Sequence, residues 1–159
     1  MMHCQIYTTF TGHVDEYQTV RMRQSFEPLF VRYKVNLVVG GHDHGYLRTK
    51  PMTYGRSDPT GRGPVYVIVG EGGNREHHSP GYKNAEEAEE WTERRDRSEY
   101  GFGTLEVRNS TWARWRWIRD PEVDDAVDRV DVDGTELGGM GGGGRGVTDD
   151  VWLQNPHVP

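Results

Sequence analysis

Residues 35–44 read VNLVVGGHDH, and this stretch decides the fold class of the chain. Its run from Val35 to Val39 is rich in β-branched residues and stops at two glycines, which is typical of a buried strand. The apolar residues upstream recur at the spacing of an amphipathic helix, with Pro28 expected to kink or break it; they are Met22, Phe26, Leu29, Phe30 and Tyr33. A helix that leads into a buried strand predicts one unit of a layered α/β fold.

Further strands are expected downstream of this unit. Residues 64–70 (PVYVIVG) form a second run typical of a buried strand that ends at glycine. Apolar and polar residues alternate in 102–108 and 112–119, which predicts a β-hairpin around Asn109-Ser110. Its tryptophans are expected to pack the sheet rather than bind a ligand. The charged segment 85–97 predicts a short exposed helix.

The composition divides the chain into a body and a polar insertion. Apolar residues make up 33% of the 159 residues, and mean hydropathy is −0.85. We expect a compact body over residues 1–120, an acidic and glycine-rich flexible loop over 121–147, and a C-terminal strand and tail over 148–159. The loop sequence buries too little apolar surface to offset its ordering entropy.

Net charge and hydropathy exclude two classes of partner. The formal net charge is −6 and the isoelectric point is near 5.6, whereas a nucleic-acid binder needs a basic surface. No run of eighteen apolar residues is present, so no membrane-spanning helix is predicted. The single cysteine, Cys4, allows no internal disulfide and is expected to be a buried thiol.

Four histidines near predicted strand ends are the candidate functional residues. His42 and His44 follow the first buried strand, where extended backbone would aim both imidazoles to one side. His3 ends a short strand, and His13 follows in a loop. Neutral imidazoles suit zinc, iron or manganese, although a His-x-His pair is also common on protein surfaces. The spacing alone leaves both interpretations open.

The motifs around these histidines resemble those of purple acid phosphatases, phosphate-ester hydrolases of the metallophosphoesterase superfamily. Residues 2–7 (MHCQIY) are similar to the family's MHxPxY, 41–48 (GHDHGYLR) to GHxHxYER, and 70–76 (GEGGNRE) to GDGGNRE. Residues 98–117 resemble the family's closing tryptophan-rich hairpin. The resemblance spans His3 to Arg119. It implies an α/β fold, part of a calcineurin-like β-sandwich flanked by helices and ending in a β-hairpin.

The resemblance also implies a role for each histidine. His3 and His42 match ligands of a divalent metal (Zn, Mn or Fe), and His44 matches a ligand of a ferric ion, Fe(3+). His13 matches a catalytic residue that contacts the substrate phosphate and protonates the leaving group. The implied activity is hydrolysis of phosphate monoesters by an acid phosphatase.

The chain departs from the family pattern in two ways. Gln5, Leu47 and Glu71 replace the family's proline, glutamate and aspartate. The GDxG, GDxxY and GNHE segments, which supply the remaining ligands in the family, do not occur in these residues. We therefore expect the C-terminal half of such an enzyme, a fragment that is inactive alone. The alternative is a non-catalytic metal-binding or interaction domain that retains part of the fold.

An N-glycosylation sequon lies at the predicted hairpin turn. It consists of Asn109, Ser110 and Thr111. Glycosylation of Asn109 would fit a full-length parent that is secreted or located in a vacuole or lysosome.

Overall fold

The computed structural model describes residues 1–14, 16–73, 75–83, 90–119 and 146–158. The complete elements in these residues are one α-helix, α1 (Tyr17–Arg32), and nine strands that follow it. The strands are β1 (Leu37–Gly40), β2 (Tyr46–Thr49), β3 (Met52–Thr53), β4 (Arg56–Ser57), β5 (Val65–Val69), β6 (Thr92–Asp96), β7 (Gly101–Val107), β8 (Trp112–Arg119) and β9 (Gly146–Gln154).

The two predicted buried strands are neighbours in a mixed four-stranded sheet. Its order is β1-β5-β2-β6. Strands β1 and β5 run parallel, with Leu37 opposite Val65, whereas β2 is antiparallel to both β5 and β6. The turn after β1 therefore reverses the chain at the edge of the sheet where the candidate histidines lie.

The predicted hairpin is confirmed and belongs to a larger sheet. Strands β7 and β8 are antiparallel, with Leu105 opposite Trp115. Strand β9 pairs with the other side of β8, placing Val151 opposite Trp115. The proposed divisions at residues 120 and 147 stay a prediction, because 120–145 lie outside the described residues.

The core occupies both faces of the mixed sheet. Strand β5 alternates, so that Tyr66 joins a cluster under α1 while Val65 and Val67 join a cluster against the second sheet. Trp115 and Trp117 fill that second cluster, which confirms their expected packing role. Helix, sheet and sheet thus form the layers of the α/β fold predicted from sequence.

The helix expected over 85–97 is wrong for its C-terminal part, whereas Glu90 and Trp91 are helical and residues 85–89 lie outside the described residues. Thr92–Asp96 form β6, which pairs with β2 and places Arg95 opposite Leu47. Strand β6 lies at the edge of the sheet, where charged side chains reach solvent. Backbone pairing with β2 therefore overrides the helical character of this charged sequence.

Helix α1 is confirmed, but only part of its predicted apolar stripe is buried, where Phe30 packs against the core. Phe26, Leu29 and Tyr33 are 40%, 44% and 69% exposed. The buried helix residues are Thr19 and Glu27. Glu27 accepts hydrogen bonds from the Tyr7 hydroxyl and, at 2.9 Å, from the Tyr54 amide. The helix also continues through Pro28, where a kink or break was expected.

A buried polar cluster joins the two sheets. Asp149 of β9 accepts hydrogen bonds from the Tyr46 hydroxyl at 2.5 Å and from Arg48 Nε and Nη2 at 2.7 and 3.0 Å. Trp115 Nε1 donates to the Tyr46 hydroxyl at 2.9 Å. Burial alone would raise the pKa of Asp149. The hydrogen bonds from Arg48 and Tyr46 nevertheless hold this pKa below its ordinary value.

Candidate metal centre

Residues 2–4 lie beside the end of β1, and this brings His3 next to His42. The Met2 amide donates to the Val39 carbonyl at 3.0 Å, and the Gly41 amide donates to the His3 carbonyl at 2.8 Å. Residues 2–4 therefore run parallel to the end of β1, with Cys4 bridged to Gly41. The rings of His3 and His42 lie 5.1 Å apart, centroid to centroid. Cys4 itself is buried, as predicted, and burial raises the pKa of its thiol.

The loop before α1 adds two more side chains. The Glu16 amide donates to the His13 carbonyl at 3.2 Å, which folds this loop into a turn. The His13 ring lies 4.2 Å from that of His42. Glu16 places Oε1 3.0 Å from His13 Nδ1 and Oε2 3.6 Å from His42 Nε2. We call His13, Glu16 and His42 the His–Glu cluster.

Glu16 lies outside the sequence motifs that single out the histidines. Its signal is an acidic residue three positions after His13 and directly before the amphipathic helix. Such a residue is normally explained as a favourable charge at a helix start. Only the folded chain shows that its carboxylate reaches His42, which lies 26 positions away in sequence.

The backbone after β1 is bent rather than extended. His42 adopts a φ of +70°, and the Asp43 and Gly45 amides each donate to a carbonyl two residues back at 3.0 Å. The extended backbone assumed for the His42–His44 pair is therefore wrong, since a residue in the left-handed region breaks the alternation of a strand. The two imidazoles contact different segments.

His44 is oriented by the loop that follows β5. Its Nδ1 lies 2.8 Å from the His77 carbonyl, and its Nε2 lies 3.7 Å from Glu76 Oε2. A carbonyl oxygen can only accept, so Nδ1 carries the proton and Nε2 keeps its lone pair when the ring is neutral. This arrangement commonly orients a metal-binding histidine.

The surroundings of His42 favour its neutral form. Burial lowers the pKa of His42, and the positive charge of His13 and His3 adds to this, outweighing the opposite effect of Glu16. The hydrogen bond with His13 lowers the pKa of Glu16, even though slight desolvation opposes it. A neutral imidazole beside an ionised carboxylate is the protonation state in which both bind a metal.

Buried carboxylates lie behind the histidines. Burial raises the pKa of Asp43 to about 6. Glu71 is fully buried and, at 2.7 Å, contacts His78 Nδ1, whose ring stacks on Tyr100 at a centroid distance of 4.4 Å. His78 is partly buried, because Glu71 and Tyr100 hold its ring.

The layered fold matches that of a protein of known structure. A purple acid phosphatase isolated from yellow lupin (Lupinus luteus) seeds aligns with 96% of this chain at a TM-score of 0.64. The aligned residues are 19% identical, so this likeness establishes the fold alone. The fold is that of the metallophosphoesterase class, as the motifs predict.

Sequence comparison identifies the family within this class. Residues 63–129 match the family described as iron/zinc purple acid phosphatase-like protein C. Purple acid phosphatase 18 of Arabidopsis thaliana is 37% identical over 122 residues, and a phosphoenolpyruvate phosphatase of Allium cepa is 35% identical over 131 residues. The chain belongs to the purple acid phosphatase family and is related to its C-terminal part.

The matched region is a small share of these relatives. Each alignment covers 77% of this chain but 26% of the relative. The lupin structure is likewise covered over 24% of its chain. In the described residues, moreover, no helix is long and apolar enough to cross a membrane.

Proposed function

We propose that this chain forms part of an acid phosphatase that hydrolyses phosphate monoesters at a binuclear metal centre. The carrying observation is the convergence of His3, His13 and His42, with ring centroids 5.1 and 4.2 Å from that of His42. Membership of a family whose relatives are named as phosphatases supports the same activity. The proposed substrate is a phosphate monoester.

The histidines fit part of such a centre. His3 and His42 would hold the divalent ion (Zn, Mn or Fe), and His44, oriented by the His77 carbonyl, would hold Fe(3+). Three imidazoles carry no charge to balance two such ions, so we place the oxygen ligands in sequence outside residues 1–159. When bound, a pair of metal ions stabilises the charge that develops during phosphoryl transfer.

His13 is the chain's own candidate for contact with substrate. Glu16 holds its Nδ1 at 3.0 Å, which fixes the ring beside His42. The ring is half-buried, so a phosphate approaching His42 would meet it. His13 would then bind a phosphate oxygen and, when protonated, give its proton to the leaving alcohol.

A chimaera tests the phosphatase proposal. Residues 1–119 would replace the corresponding segment of Arabidopsis purple acid phosphatase 18, and metal content and p-nitrophenyl phosphate hydrolysis at acid pH would be measured. We expect a metal-loaded, active chimaera. Replacing His42 with Ala should lower kcat/KM by at least about a hundredfold. Loss of a residue that only orients a metal ligand already lowers activity by about 10–100-fold, and loss of the ligand itself should lower it further. His13→Ala should lower kcat by about 10²–10⁴-fold with metal content unchanged.

The matched control is His77→Asn, which alters an exposed histidine whose backbone φ of +63° asparagine tolerates. Its activity should remain close to that of the parent chimaera. A folded chimaera that lacks both metals and activity would contradict the proposal. The alternative, a non-catalytic metal-binding or interaction domain that retains the fold, would then replace it.

We further propose glycosylation at Asn109 and a secreted, vacuolar or lysosomal parent. Asn109 is exposed at the β7–β8 turn, and its Oδ1 accepts from the Thr111 and Trp112 amides at 2.8 Å each. This leaves the side-chain nitrogen as the group to be modified. Expression through a secretory pathway should yield a glycoform that peptide N-glycosidase removes.

Thr111→Ala should abolish this glycoform while keeping Asn109, because the sequon requires the hydroxyl residue. Ser110→Ala, which leaves the sequon intact, is the matched control. An unglycosylated product from the secretory host would rule the site out.

A further inference from the structure

We propose that a cavity at the C-terminal end of α1 binds a multivalent oxyanion of the phosphate type. The cavity has a volume of about 420 Å³, which is within the range of small-molecule sites. At about 1.5 Å per residue, the length of α1 places this cavity about 24 Å from Glu16 and the candidate metal centre. The inference requires no metal ion and does not rest on the phosphatase proposal.

The cavity concentrates positive charge on an acidic chain. Arg32, Lys34 and Arg62 line it with exposed side chains, and Asp58 is the one carboxylate among the described lining residues. Three cationic side chains against one carboxylate give the lining a formal charge of +2, whereas the whole chain has −6. In the part of the chain that the structure describes, none of the three cations forms an ion pair. Their charges are therefore available to an anion that enters from solvent.

Asp58 holds the turn that carries Arg62. Its Oδ1 accepts hydrogen bonds from the Thr60 amide and hydroxyl at 2.9 and 2.8 Å. Its Oδ2 accepts from the Arg62 and Gly63 amides at 3.0 and 2.7 Å. Four donors offset the charge of this carboxylate, so it repels an incoming anion less than an unbonded carboxylate would. The same hydrogen bonds fix the backbone of Arg62 beside the cavity.

The backbone at Lys34 is unusual for a lysine. Lys34 follows the C-cap of α1 with a φ of +58°, a left-handed conformation that glycine normally supplies at this position. A lysine near a helix C-terminus is usually explained by attraction to the helix dipole. Arg32, in the last turn of α1, already provides that attraction without a left-handed backbone. An anion that pairs with the ammonium group accounts for a lysine where glycine would be less strained.

His157 adds an uncharged donor to the cavity. Among the described residues, its Nε2 is buried and has no hydrogen-bond partner. The His157 amide donates to Asn155 Oδ1 at 3.1 Å, which holds the turn that carries the ring. A buried polar atom without a partner is costly, and an anion in the cavity would supply an acceptor. Guanidinium, ammonium and imidazole groups together offer only donors to such a ligand.

NMR titration of the 159-residue chain tests the site. The chain would be stripped of metal on a chelating resin and titrated with pyrophosphate, phosphate and acetate. We expect saturable shifts of the Lys34, Arg62 and His157 amides, with tighter binding of pyrophosphate than of phosphate and no saturation by acetate. Arg62→Gln should raise the pyrophosphate dissociation constant by about tenfold or more, because a hydrogen bond to a charged group contributes at least that factor. Added salt should weaken binding, since it screens exposed charges.

A titration with AMP distinguishes a free anion from a phosphate group on a larger molecule. Binding as tight as that of phosphate would assign the cavity to phosphate esters. Weaker binding would assign it to the free anion. Either result upholds the oxyanion site.

Lys34→Gly separates binding from folding. Glycine adopts a φ of +58° without strain, so the variant should be at least as stable to urea as the parent. It should nevertheless bind pyrophosphate about tenfold more weakly, because the ammonium group is gone. The matched control is Arg21→Gln, which removes an exposed arginine from the first half of the same helix. Its pyrophosphate dissociation constant should equal that of the parent.

Three results would overturn the site. One is the absence of any saturable shift in the folded chain. Another is a set of shifts confined to His3, His13 and His42, which would place the anion at the candidate metal centre. The last is an unchanged pyrophosphate dissociation constant in both Lys34→Gly and Arg62→Gln. An inactive or metal-free chimaera would leave all three tests unaffected, so this proposal and the phosphatase proposal fail separately.

Discussion

Replacing Asp149 with Ala should lower the free energy of unfolding by about 3–5 kcal/mol, the usual cost of removing one partner from a buried ion pair. The variant leaves Arg48, whose side chain is 12% exposed, without the carboxylate that accepts two of its hydrogen bonds. It also removes the acceptor of the Tyr46 hydroxyl, which receives a hydrogen bond from Trp115. Urea unfolding followed by tryptophan fluorescence would measure the loss, because Trp115 lies in the affected cluster.

The neighbouring residue provides a control. Asp150 also pairs with an arginine, Arg114, but both side chains are at least one-third exposed. Solvent screens such a pair, so Asp150→Ala should change stability little. Equal losses in the two variants would show that the contact between the sheets is not held by the Asp149 cluster.

The same cluster predicts a dependence of stability on pH. The pKa of Asp149 in the folded chain lies below its ordinary value of 3.8. The stabilisation is therefore complete above that ordinary value and is lost as pH falls through the depressed folded value. Asp149→Asn should unfold with a shallower loss of stability at acid pH than the parent chain. Burial would raise the pKa of Asp96, but the hydrogen bond from Arg119 holds this pKa low as well. The variant should therefore still lose some stability at acid pH. An unchanged acid dependence would exclude Asp149 as its source.

The strands that sequence predicted correctly are those with a local signal. The runs at Leu37–Gly40 and Val65–Val69 are apolar on both faces because α1 covers one face of the sheet and the second sheet covers the other. Strand β6 has no such signal, since its pairing with β2 determines its conformation. For α1, periodicity predicted the helix and the contact of Phe30 with the core, but not the burial of Glu27. The carboxylate of Glu27 is held by hydrogen bonds that it accepts from Tyr7 and Tyr54.

In the candidate site too, some residues could be predicted from the sequence and others depend on contacts made only in the folded chain. Motif resemblance singled out His3, His13 and His42, which lie together in the fold. Glu16 could not be found this way, because its link to His42 depends on where the loop before α1 crosses the end of β1. The orientation of His44 likewise depends on a backbone carbonyl, that of His77. Contacts made by backbone atoms carry no signature in residue type.

Gly70→Ala should disrupt the histidine-bearing turn more than any other single-methyl addition in its loop. A Cβ at Gly70 would lie 1.7 Å from the Asp43 carbonyl oxygen and 2.7 Å from its carbon. Both are backbone atoms, so no side-chain rotation relieves the contact. The Gly70 amide also donates to the Gly45 carbonyl at 3.2 Å, and that hydrogen bond would be strained as the strands separate. Overpacking costs about 1–3 kcal/mol, and a clash with backbone should fall near the upper end, about 3 kcal/mol.

The effect should extend from stability to metal binding. Displacement of Asp43 shifts its neighbour His42, whose φ of +70° already depends on the surrounding turn. We therefore expect Gly70→Ala to lower the metal content of the chimaera as well as the urea midpoint of this chain. Gly72→Ala is the matched control, because a Cβ there meets no atom within 4 Å. If Gly70→Ala lowered stability but left the metal content of the chimaera unchanged, His42 would be positioned by β1 alone. Loss of both properties in Gly70→Ala, with neither lost in Gly72→Ala, would show that the end of β5 positions the metal-binding turn.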